Sequence, residues 1–201
     1  MAKGPAYKVR FRRARKGLTD FRRRRRLISS GIPRLVIRKT NRYIQAALVV
    51  SKPEGDSAIC RASSVELRKI EWPLGFSNAM ASYLTGFICG LRARANGMSE
   101  AVPDIGLHRH SRGGNVYALC KGAMDAGLKV RLDESVFPTE DRIRGKHIAS
   151  YYTELSSSPQ EVLQFSNYRR RGVDPNSLDK IFEKAKANVL QAFGGKTTDA
   201  K

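Results

Sequence analysis

Residues 34–50, RLVIRKTNRYIQAALVV, decide the fold. Two runs rich in β-branched and apolar residues, RLVIRK and RYIQAALVV, flank Thr40-Asn41-Arg42, which has the composition of a tight hairpin turn. A third such run, SAICRAS at 57–63, follows the turn Lys52-Pro53-Glu54-Gly55-Asp56. Three strands joined by short turns make an antiparallel meander.

Downstream the apolar spacing changes from two residues to three and four. Met80, Tyr83, Leu84, Phe87, Ile88 and Leu91 recur at that interval, which predicts a helix over 78–96 with Ser77 capping its start and Gly97 closing its end. AVPDIGL at 101–107 reads as a fourth strand, with Pro103 arguing for an edge or a bulge because it removes a ladder donor. A second helix is expected over 114–126, then a brief strand in LKVRL. Beyond Phe137-Pro138 the chain turns helical and polar. Thr139 opens a helix reaching about Leu155, Ser158-Pro159-Gln160-Glu161 has capping-box spacing, and Asp174-Pro175 starts a last helix after the basic loop Tyr168-Arg169-Arg170-Arg171-Gly172. The fold class is therefore α/β: a mixed sheet that opens with an antiparallel three-stranded meander, with helices packed on it. It divides into a basic extension at 1–30, an α/β domain at 31–134 and a C-terminal helical appendage at 135–201.

Upstream of the meander the chain is of another kind. Residues 1–26 hold 12 Lys or Arg against one acid, Asp20, a net +11 out of the chain's +20. Charge so dense opposes collapse, so the extension is expected to stay without structure until phosphates order it. Nine of the 12 are arginine, whose planar guanidinium suits phosphate and stacks on exposed bases. Such an excess needs a polyanion, and nucleic acid is the expected partner. A membrane surface would ask for an apolar helix face opposite the charge, which this segment lacks. No signal-peptide core and no spanning stretch is read in the sequence, so an intracellular protein is expected.

Candidate chemistry is sparse. Cys60, Cys89 and Cys120 stand about thirty residues apart outside any zinc spacing, and read as reduced core residues. A metal-dependent RNA-processing nuclease on this kind of sheet is the alternative. It needs clustered carboxylates, and the strands supply only Asp104, with Glu54 and Asp56 in a turn. His108 and His110 could suggest a metal or a general base, or a loop that offers hydrogen bonds and charge to RNA. Gly113-Gly114 could admit a phosphate to a helix start, or serve capping geometry alone. Tyr7, Phe11 and Phe21 interleave with the arginines, either to stack on unpaired bases or to anchor the extension on the protein. Arg38, Lys39, Arg42 and Tyr43 place a second basic surface at one end of the sheet.

Five stretches together resemble one family. They are KGPAYKVRFRRARKGLTDFRRR, GIPRLVIRKTNRYIQAALVV, AMASYLTGFICGLRA, VPDIGLHRHSRGGNVYALCKGAMDAGL and FPTEDRIRGKHIASYY, in order over most of residues 1–155. The family is the archaeal and eukaryotic branch of the universal ribosomal proteins that bind 5S rRNA. Pro103 stands where an aliphatic residue is usual, and residues 156–201 match only loosely. The resemblance implies an α/β domain, an extension reaching along rRNA, no catalysis and no cofactor or metal. Its implied partners are 5S rRNA, large-subunit rRNA and neighbouring large-subunit proteins, in the cytoplasm within the ribosome. By position it implies RNA contacts from Lys8, Arg10, Arg12, Arg13, Arg15, Arg22, Arg23, Arg24 and Arg25 in the extension. Arg38, Asn41, Arg42 and Tyr43 follow in the hairpin, with His108, Arg109 and Arg112 in the loop before the second helix. The charge and aromatic interleaving of the extension add Phe11 and Lys16 to that set.

Overall fold

A computed structural model describes residues 4–156 and 163–194 of the chain. Before the sheet lie two helices, α1 (Arg12–Arg15) and α2 (Phe21–Ser29). The meander follows as β1 (Arg34–Lys39), β2 (Ile44–Lys52) and β3 (Gly55–Ser63). Then come α3 (Ala79–Ala95), β4 (Glu100–Asp104), α4 (Asn115–Asp125) and β5 (Lys129–Val130). The appendage holds α5 (Glu140–Arg144), α6 (Lys146–Ser156), α7 (Ser166–Arg170) and α8 (Leu178–Phe193).

The five strands form one mixed sheet in the order β3-β2-β1-β4-β5. β1 pairs antiparallel with β2 and parallel with β4, and β4 pairs parallel with β5. Alternation along the strands sends Leu35, Ile37, Ile44, Ala46, Leu48 and Cys60 into the core under α3. Arg34, Val36, Arg38, Gln45 and Ala47 consequently lie on the opposite face, which no core helix covers. A register shift after Leu48 sets Val49 against Ala58, which keeps both on that second face.

The helix layer is held close by small residues. A Cβ on Gly86 of α3 would sit 1.9 Å from the Leu119 carbonyl oxygen, and one on Gly122 of α4 would sit 2.0 Å from that of Tyr83. On the far side of α3, α8 adds Leu178, Phe182, Ala185 and Val189 to the same core, so the appendage shares one hydrophobic interior with the sheet. All three cysteines are buried and free. Burial pushes the Cys120 thiol up to about 12, which leaves it inert.

Four expectations need correction. Asn78, not Ser77, caps α3, accepting from Ala81 N at 2.7 Å, while the Ser77 hydroxyl donates to the Thr40 carbonyl at 3.1 Å. β4 is an interior strand, not an edge. Pro103 costs nothing there because its missing N–H would face β5, whose pairing ends with Ala101 and Val130. The single helix expected from Thr139 is two, broken at Gly145 with φ +81, where a Cβ would lie 2.1 Å from the Met80 methyl carbon. Part of the extension is also ordered against the sheet, as described next. The capping box expected at Ser158–Glu161 falls outside the described residues.

Candidate nucleic-acid interface

A run of five arginines should not fold alone, and local chemistry explains why α2 forms. Asp20 caps it, its carboxylate accepting from Arg22 N at 2.9 Å and Arg23 N at 3.1 Å, so a negative charge meets the positive helix start. The inner face of α2 docks on the sheet. Arg24 pairs with Asp56 at 2.9 Å, and Arg23 donates to the Gly106 carbonyl at 3.2 Å. Arg22, Arg25 and Arg26 occupy the exposed outer face. Among the described residues no carboxylate pairs with Lys8, Arg10, Arg12, Arg15, Lys16, Arg22 or Arg25. Phe11 and Phe21 lie 5.4 Å apart, and Phe11 stays 75% exposed, so one ring of the pair faces solvent while the other fastens the segment. Arg13 donates to the Thr19 hydroxyl at 2.8 Å, tying α1 to the start of α2.

Between α2 and the uncovered sheet face runs a cleft of about 490 Å³. Arg13, Arg23, Arg24, Arg34, Arg38 and Arg61 line it, over an apolar floor that includes Val36, Val49 and Ala58. Arg34 organises it from below, only 4% exposed, with its two terminal nitrogens on Asp104 at 2.9 Å and Asp56 at 2.8 Å. Asp56 thus joins the sheet arginine to the arm arginine Arg24. Partial burial pushes its carboxyl up, but the hydrogen bonds from Arg34 and Ser51 and the charges of Arg34 and Arg24 outweigh that and hold it below the ordinary 3.8. Asp104 is equally committed: Arg38 lies 3.5 Å from it and the Gly106 amide donates to it at 2.9 Å.

The hairpin and the loop before α4 meet at one end of this cleft. The turn is closed by Thr40 N donating to the Tyr43 carbonyl at 2.8 Å, and the Lys39 amide donates to His108 Nε2 at 3.2 Å. Tyr43 stacks on Phe76 at 6.2 Å, with the Arg68 guanidinium over the Phe76 ring, which stiffens the tip. Asn41 and Arg42 of the hairpin and Arg109 and Arg112 of the loop remain exposed. His108 Nε2 thus ties the loop to the hairpin, and the His110 ring rests 5.0 Å from that of Tyr117. No group of three or more metal-ligating side chains occurs among the described residues. The amides of Gly113 and Gly114 are already bonded to the Val136 and Ser111 carbonyls, which favours their capping role.

Arm, loop and hairpin tip are thus linked, the arm to the loop through Arg23 and the Gly106 carbonyl and the loop to the hairpin through His108 and the Lys39 amide. Sequence reading missed Arg34 and Arg61, which belong to the cleft. The signal was present, since alternation in RLVIRK puts Arg34, Val36 and Arg38 on one face, and Arg61 of SAICRAS looks the same way. The nuclease alternative loses its carboxylates, because Asp104 and Asp56 are both neutralised by Arg34 where a cation would have to sit.

Comparison with known proteins agrees. Residues 5–98 match the family described as "Ribosomal large subunit proteins 60S L5, and 50S L18". The large ribosomal subunit protein uL18 of Caldivirga maquilingensis is 45% identical over 196 residues, covering 96% of this chain and 95% of its own. That of Desulfurococcus amylolyticus is 47% identical over 194 residues, covering 96% and 99% respectively. That of Korarchaeum cryptofilum is 45% identical over 195 residues, covering 97% of this chain and 100% of its own. Matched at 45–47% identity over nearly its whole length by these proteins, the chain belongs to the uL18 family of large-ribosomal-subunit proteins.

Proposed function

We propose that this protein is a structural constituent of the large ribosomal subunit that binds 5S rRNA and fastens it to the central protuberance. The observation that carries the reading is the arm. Its cations outnumber the acids that could pair with them, and α2 holds Arg22, Arg25 and Arg26 on its exposed outer face beside the sheet. An ordered row of unpaired guanidinium groups tracks a phosphate backbone, and each phosphate it neutralises releases counterions. The hairpin tip and the Arg109 and Arg112 loop supply a second set of contacts, whose fixed spacing is what can prefer one folded RNA over another. Residues 1–30 serve as the RNA-binding extension, 31–134 as the rRNA-binding domain, and 135–201 as an appendage facing neighbouring proteins and large-subunit rRNA. The protein works in the cytoplasm, within the ribosome.

Competition binding tests this reading. Labelled 5S rRNA bound to the full chain is challenged with unlabelled 5S rRNA, tRNA or duplex DNA at several salt concentrations. Preference for 5S rRNA throughout is expected. Equal competition by all three would reduce the protein to a generic polycation.

A further inference from the structure

The cleft between α2 and the sheet is larger and more apolar than phosphate binding requires. Three of its six arginines, Arg24, Arg34 and Arg38, pair with Asp56 and Asp104, and the other three do not pair with a carboxylate among the described residues. Arg61 has no carboxylate partner among the described residues, and Arg13 and Arg23 each give one hydrogen bond to a neutral oxygen. Arg34, 4% exposed beneath the cleft, spends its terminal nitrogens on Asp104 and Asp56, and its Nε is shut away from solvent with no hydrogen-bond partner among the described residues. Val36, Val49 and Ala58, meanwhile, form a flat apolar strip with the Arg38 and Arg61 guanidinium groups beside it. Six arginines against Asp20, Asp56 and Asp104 leave the lining net positive.

We propose that this cleft receives a single unpaired nucleotide of the bound RNA. Its base lies on the Val36, Val49 and Ala58 strip and its phosphate sits among Arg13, Arg23 and Arg61. About 490 Å³ falls in the range of sites that enclose a small ligand. The base presents a flat face to the strip and to the Arg38 and Arg61 guanidinium groups beside it. A free mononucleotide would satisfy the same lining. An RNA residue is favoured because the outer face of α2, with Arg22, Arg25 and Arg26, leads a backbone to the rim. The proposal rests on the RNA-binding reading above and adds where one residue of that RNA goes.

Ala58→Trp fills the cleft without changing a charge, and Arg61→Gln weakens its rim without filling it. Each full-length variant is compared with the native protein by thermal melting, 5S rRNA affinity, and chemical probing of unpaired bases in the complex. Expected is protection of one unpaired base by the native chain, lost in Ala58→Trp, with affinity reduced on the order of tenfold and an unchanged salt slope. Arg61→Gln should weaken binding less and lower the slope. A parallel titration uses a short single-stranded oligouridylate against a duplex RNA of equal length. The native chain should prefer the single strand, and Ala58→Trp should not. If folded Ala58→Trp keeps both the protection and the single-strand preference, the nucleotide site is overturned while 5S rRNA binding stands. If the native chain shows the single-strand preference but binds 5S rRNA no better than tRNA, the 5S reading fails and the cleft survives.

Discussion

Arg34 is the residue on which the site depends most. It is buried between Asp104 and Asp56, and removing it leaves the buried Asp104 carboxylate with only the more distant Arg38 as a charged partner. Arg34→Ala should destabilise the protein by about 3–5 kcal/mol, as is usual when one partner of a buried pair is lost, measured by urea unfolding. Asp104→Asn should likewise act as a stability variant, with no change in any RNA-cleaving background. Asp56 adds a pH dependence whose sign is fixed. Its folded carboxyl titrates below the ordinary 3.8, so its contribution to docking α2 is complete above that value and disappears as pH falls through the lower folded one. Hydrogen exchange of the α2 amides, corrected for the intrinsic rate, should therefore stay slow down to about pH 4 and quicken below it. At pH 7, Asp56→Asn should already exchange faster. Protection of α2 that is indifferent to this substitution would refute the Arg24–Asp56 latch. None of this was legible by composition, because a buried arginine looks like a surface arginine until strand alternation is followed residue by residue.

Among the elements, the meander and the two core helices were legible because each has one buried face, and a buried face writes its period into the sequence. What the sequence concealed were features set by contact between elements. Gly86 and Gly122 each make room for the backbone of the facing helix, a need that lies outside local helix propensity. Gly86→Ala or Gly122→Ala should force α3 and α4 apart, at about 1–3 kcal/mol or more, visible as a lower melting temperature. Gly145 broke an expected helix for a similar reason, its left-handed backbone and its closeness to Met80 both lying outside local propensity. The arm departs most from expectation. Arginine density alone argued against structure, but one cap at Asp20 and two contacts to the sheet suffice to hold α2 in place. The exposed basic residues of the hairpin and loop were picked out from the sequence; that the two segments meet through Lys39 and His108 was not, because a contact between residues 69 apart has no local signature.

At the scale of the molecule, charge and burial are separated by the sheet. One face carries the helix layer and the shared core, and the other carries α2, the cleft and the unpaired arginines. The separation lets a rigid scaffold present a polycation without placing that charge against its own interior. It also makes the electrostatics separable by experiment, since the arm can be removed without opening the core. The decisive measurement is the salt dependence of 5S rRNA affinity for the full chain beside a chain lacking residues 1–26. If the arm neutralises about 6 to 10 phosphates, full-chain affinity should fall on the order of 10³ to 10⁵-fold between 50 and 200 mM salt, and the truncated chain should lose most of that slope. Equal slopes for the two chains would contradict the arm as the principal contact with RNA.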